Sequence, residues 1–183
     1  MSPTTYKINL PYILLTAFAV IFSWLIHELA HYYTGQLLGY DMAMTLNTAY
    51  PVSGQYALDW HYQVISAAGP LITIIEAILV FILMRNKARV KLYPFLFACF
   101  YIRLMAGIIS FLNPNDEARI SKAIGLGAFT LPIVVISFLA YLLYKTSKQY
   151  GFSKKFNWVT LIIIIVVSSV IILSDQFFKT RIL

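Results

Sequence analysis

The sequence predicts an all-α polytopic membrane protein, with about five transmembrane helices and a short β-hairpin between helices 1 and 2. Three observations predict it. Of 183 residues, 60% are hydrophobic and only 11% are charged, and the mean hydropathy is +0.77, a composition too apolar for a water-soluble domain. Windows of about 20 apolar residues, long enough to cross a hydrocarbon layer, recur five times. The cations that give the formal charge of +7 sit in short loops between these windows, which fits lipid headgroups and leaves no basic face for nucleic acid.

Taken in order, the expected spans cover about residues 10–33, 62–84, 93–112, 124–144 and 158–173 within a single domain of residues 1–183. Lys7 before the first run and the small-x-small Ala17-Phe18-Ala19 resemble a signal peptide. Cleavage there would remove half of a helix, so the run is read as a retained span. Gly35 and Gly39 loosen its end. Between Met42 and Trp60 two Thr- and Tyr-rich runs flank Pro51-Val52-Ser53-Gly54, which reads as a hairpin around a Pro-x-x-Gly turn. Such a hairpin leaves an edge strand that can hold an extended peptide by strand addition.

The second span opens with Ser66-Ala67-Ala68-Gly69-Pro70, small residues that admit a close neighbour and a proline that bends or unwinds the helix. Arg85, Lys87, Arg89 and Lys91 follow it, and Lys145, Lys148, Lys154 and Lys155 follow the fourth span. The positive-inside rule puts both loops and the N-terminus in the cytoplasm, with the end of span one and the start of the segment after span three together on the other face. The protein is therefore expected to be a multi-pass protein of the cell membrane. Cys99, the single cysteine, lies inside an apolar run and reads as packing.

Late in the first span stands His27-Glu28-Leu29-Ala30-His31. Helical residues four apart share a face, so both imidazoles can reach one zinc ion. Glu28 then stands beside the metal, where a carboxylate takes a proton from the attacking water and passes it to the leaving amine. Two imidazoles and an acid inside an apolar span are expensive, which favours a functional site over an interfacial cap. Catalytic zinc uses three protein ligands and keeps one position open. Asp116, on the same face just after span three, is the first candidate for the third ligand. Its neighbour Glu117 is a rival, as are His61 and Asp59 at the end of the hairpin.

These motifs resemble the site-2 protease family of intramembrane zinc metalloproteases. His27-Glu28-x-x-His31 is similar to that family's zinc and base motif, and Ala68-Gly69-Pro70-Leu71 to its recurring Ala-Gly-Pro-Leu stretch. The hairpin sits where the family has a membrane-associated sheet. The likeness covers about residues 10–125 and leaves the last two spans unassigned. It implies an Asp ligand from an Asn-x-x-Pro…Asp-Gly motif and a nearby Asn that holds the substrate backbone. Asn113-Pro114-Asn115-Asp116 has those residue types at a compressed spacing and no Gly after the Asp. The resemblance thus assigns Asp116 to the metal and Asn113 or Asn115 to substrate. It places the site toward the cytoplasm, opposite to the face the cation count favours.

Glu76 and Arg103 lie roughly 12 to 18 Å into the bilayer on antiparallel neighbours, counting about 1.5 Å per residue, and are expected to pair as a structural salt bridge. The sequence as a whole reads as a zinc metalloendopeptidase acting on membrane-protein substrates in the lipid bilayer. The rival readings are a catalytically idle zinc-binding membrane scaffold and a metal-ion transporter in which the histidines form a transient site.

Overall fold

The computed structural model describes residues 7–85 and 89–183, so Lys87 of the first basic loop lies outside the described residues. Helix α1 spans Leu10–Leu37. Asn9 caps it by accepting the Tyr12 N–H at 3.1 Å, and Pro11 occupies the first turn, where its missing N–H costs nothing. At the other end Gly39 takes φ 87°. There the N–H groups of Gly39 and Tyr40 return to the carbonyls of Gln36 and Gly35 at 3.0 and 3.1 Å, which satisfies the last turn and stops the helix.

Strands β1 (Met42–Met44) and β2 (Ala49–Pro51) pair antiparallel, with Ala43 opposite Tyr50. The hairpin is present, but its turn lies elsewhere than expected. Thr45 N–H donates to Thr48 C=O at 2.8 Å around Leu46-Asn47, while Pro51–Gly54 forms the next turn. The Asn47 side chain accepts the indole N–H of Trp24 at 3.0 Å, which ties the tip to α1. Met44 exchanges backbone hydrogen bonds with Ile182 and Leu183, which tie residues 182–183 to the outer edge of β1.

Helix α2 (Asp59–Arg85) runs unbroken through Pro70. Helix α3 is Tyr93–Ile109, shorter than its expected span, and the stretch expected to be a loop forms a short helix α4, Asp116–Ala123. Gly125 and Gly127, at φ 78° and 77°, end it. Consequently α5 (Thr130–Tyr150) begins at Thr130 rather than near Ile124. Helix α6 (Lys154–Phe178), capped by Ser153 on the Phe156 N–H, is longer than expected at both ends.

Helix α1 packs on α2, α3 and α6, and α2 packs also on α4 and α5. Their shared core contains Trp24, Val80, Met84, Tyr93, Leu96, Leu139, Phe156 and Ile164. The outer faces are apolar too, with Leu14, Phe18, Leu79, Val134, Val166 and Val170 exposed. Five helices long and apolar enough to cross a membrane, with apolar outer surfaces, describe a multi-pass membrane protein. At about 1.5 Å per residue, His27 and His31 lie about 26 and 32 Å from the start of α1, near one side of a hydrocarbon layer about 30 Å thick.

Candidate metal centre

Helical spacing stacks His27 and His31 on one face of α1, with their Nε2 atoms 3.1 Å apart. Asp116 opens α4, where the helix N-terminus favours an acid. Its Oδ2 lies 3.4 Å from His27 Nε2 and 3.5 Å from His31 Nε2. All three side chains are buried. Ligands about 2.0 to 2.1 Å from a tetrahedral zinc are separated from one another by about 3.3 Å. The three atoms already stand at that separation.

The outer hydrogen bonds fix which way the imidazole protons point. His31 Nδ1 is 2.6 Å from the Ile65 carbonyl, which only accepts, so Nδ1 carries the hydrogen. His27 Nδ1 is 3.1 Å from Thr73 Oγ1, and Thr73 uses its hydroxyl hydrogen on the Gly69 carbonyl at 3.0 Å. Thr73 therefore accepts from His27 Nδ1–H. Both Nε2 lone pairs then converge, together with a carboxylate oxygen, and no proton of the three groups lies between them. A bound cation relieves that repulsion, and the donor set fits a borderline metal such as zinc.

Asp116 divides its two oxygens between two tasks. Oδ1 accepts from Arg119 Nη2 at 2.5 Å, leaving Oδ2 for the histidines. The Arg119 guanidinium on Oδ1 and Arg103 Nη1, 3.7 Å from Oδ2, are cations that favour the ionised carboxylate, so Asp116 can offer a negatively charged oxygen to a metal.

Gly69 lets α2 come this close. A Cβ there would sit 2.6 Å from His27 Nε2 and closer still to His31 Nε2, inside van der Waals contact of both rings. Pro70 carries no N–H and cannot donate to the Ser66 carbonyl, and one residue earlier the Ile65 carbonyl holds His31. The small-residue stretch thus faces the imidazoles.

A cavity of about 580 Å³ opens onto the cluster. Glu28 lines it together with His27, His31 and Asp116, and among the described residues its carboxylate is in no side-chain hydrogen bond. The hairpin forms another wall through Asn47–Pro51. Thr45 pairs with Thr48, and Val52 donates to Asp41, so strand alternation turns the N–H and C=O of Ala49, a residue of that wall, away from β1. Asn115 lines the cavity as well, whereas Asn113 is exposed and lies outside its lining.

The rival ligands are placed elsewhere. Glu117 Oε1 accepts from Arg103 Nη1 at 3.1 Å, His61 Nδ1 lies 2.7 Å from the Tyr40 hydroxyl, and Asp59 is exposed at the start of α2. The expected Glu76–Arg103 salt bridge does not form. Glu76 Oε1 accepts from Ser23 at 2.8 Å, and its Oε2 has no partner among the described residues. Arg103 instead turns to Glu117, Asp116 and His27. Shared depth did not decide the pairing, because α4 brings Glu117 and Asp116, read from the sequence only as rival metal ligands, within reach of the arginine.

Sequence reasoning missed Thr73 and the role of Arg103. Thr73 carried a usable signal, a polar side chain inside an apolar span four residues after Gly69, on the same helix face. No protein-family model, characterised protein or solved structure matches the chain, and its function is read from the geometry.

Proposed function

We propose that the protein is an intramembrane zinc metalloprotease of the cell membrane, similar in its site to the site-2 proteases, that hydrolyses peptide bonds in or near transmembrane segments of other membrane proteins. The observation that carries this reading is the convergence of His27, His31 and Asp116 at ligand spacing, with Glu28 free beside them in a cavity walled by a strand edge. When held by those three residues, zinc supplies Lewis acidity, polarising the scissile carbonyl and lowering the pKa of water to about 7. Glu28 accepts a proton from the attacking water as its oxygen joins the carbonyl carbon. The carboxylate then returns the proton to the leaving nitrogen as the C–N bond breaks, giving an acid and an amine. The outward N–H and C=O of Ala49 hold the unwound substrate as an added strand, and Asn115 contributes a further polar contact. The burial of the cluster keeps lipid and bulk water from competing for these groups.

The test is expression of wild type and Glu28→Gln with a panel of single-span membrane proteins. Zinc-dependent cleavage is expected, abolished by a chelator and restored by zinc, and Glu28→Gln is expected to lower the rate by about 10² to 10⁴. Equal cleavage by the variant overturns the mechanism. Metal uptake into vesicles without cleavage favours transport, and stoichiometric zinc with neither activity favours a scaffold.

A further inference from the structure

Arg103 is a buried cation at the metal cluster, projecting from the middle of α3. Its guanidinium is held on one side by Glu117, which accepts from Nη1 at 3.1 Å. On the other side Nη2 reaches His27 Nε2 at 3.3 Å, the only acceptor recorded for that nitrogen among the described residues. The lone pair it uses is the one a metal must take. Loading the site therefore strips Nη2 of its acceptor and leaves a buried, charged donor next to the ligand set, on the wall of the cavity. The Nε of Arg103 is already without a partner among the described residues, so the side chain is not a fully satisfied ion pair that merely fills space.

Charge supports a catalytic use. A divalent ion, Arg103 and Arg119 would bring four positive charges against the three negative ones of Asp116, Glu117 and Glu28, an excess that favours a developing anion. Glu117 pairs with the arginine on one side, and its Nη2 lies beside His27 in the lining of the cavity, where an oxyanion formed in peptide hydrolysis would need a donor.

On the reading that the site is a zinc protease, we infer that Arg103 is a catalytic residue whose Nη2 donates to the oxyanion forming on the scissile carbonyl oxygen, and that Glu117 is its positioning residue. As the water oxygen bonds to the carbonyl carbon, the π pair moves onto the carbonyl oxygen, where Arg103 receives it as a hydrogen bond without giving up a proton. The pair returns when the C–N bond breaks, and Glu28 carries the proton to nitrogen. A planar fork anchored by a carboxylate at one end offers the other end in a fixed direction, which a flexible lysine does not.

The experiment uses the full chain in detergent, as wild type, Arg103→Met, Arg103→Lys and Glu117→Gln. Four quantities are read: zinc stoichiometry, zinc affinity by chelator competition, kcat and KM on a substrate cleaved by wild type, and affinity for a phosphinic pseudopeptide whose tetrahedral P–O⁻ stands in for the oxyanion. Arg103→Met is expected to keep its zinc with affinity equal to or above wild type, because nothing competes for His27 Nε2. Its kcat is expected to fall by about 10² to 10³, with KM within about threefold and pseudopeptide affinity falling with kcat. Arg103→Lys, which preserves charge and folding, should recover part of the loss, and Glu117→Gln should lower kcat with zinc retained. Loss of zinc in step with activity, or pseudopeptide affinity equal to wild type in Arg103→Met, overturns the assignment. A wild type that cleaves no substrate counts against the protease reading alone, since pseudopeptide affinity still decides what Arg103 binds.

Discussion

Gly69→Ala isolates the closest approach in the site. The added Cβ would sit 2.6 Å from His27 Nε2 and closer still to its Cε1, where ordinary contact begins at 3.4 Å, so that ring must retreat by at least 0.8 Å if the backbone holds. Metal–ligand distances tolerate about 0.2 Å. The displacement is several times larger, and it acts on both histidines at once because the same Cβ also meets His31. Altering a group that only orients a ligand costs about 10- to 100-fold in metal affinity, so moving two ligands directly should cost at least about 100-fold. Stability responds less. Alanine is favoured over glycine inside a helix by about 0.5 to 1 kcal/mol, while overpacking costs about 1 to 3 kcal/mol. The net effect is a loss of roughly 0 to 2.5 kcal/mol. The assay is zinc affinity by chelator competition in detergent, with thermal unfolding of the metal-free protein alongside. Gly107→Ala is the control, since a Cβ there meets mainly the flexible end of Ile136, with Pro132 as the next neighbour and neither histidine among its nearest contacts. Wild-type zinc affinity in Gly69→Ala, or an equal loss in Gly107→Ala, would refute the reasoning.

Thr73→Val keeps the volume but removes the acceptor of His27 Nδ1–H, and is expected to weaken zinc binding by about 10- to 100-fold with the fold intact; unchanged affinity would show that the ring is oriented by packing alone. A double-mutant cycle between Arg103 and Glu117, read by unfolding in mixed detergent, should give a coupling of about 0.5 to 3 kcal/mol, and the corresponding cycle between Arg103 and Glu76 less than about 0.5 kcal/mol. Reversal of that order would restore the pairing that depth in the bilayer suggested.

Composition and spacing by themselves determined a good deal. Apolar runs of spanning length leave only helices as a way to satisfy the backbone, so the five spans and their order followed from the chain. The four-residue spacing of His27 and His31 put both imidazoles on one face, because helical geometry is local. Tertiary structure decided what local periodicity does not encode. Whether Asp116 or Glu117 turned to the histidines depended on α4 starting at Asp116, which faces one acid to the metal ligands and the next to Arg103. The partner of Arg103 depended on which helix reached it across the bundle, and equal depth was no guide to that. The value of Gly69 and Thr73 emerged only once α2 lay against α1, since a missing side chain and an exhausted hydroxyl acquire meaning from the group brought against them. Position along one helix is a short-range property of the sequence, whereas convergence of lone pairs from two helices far apart in the chain is a property of packing.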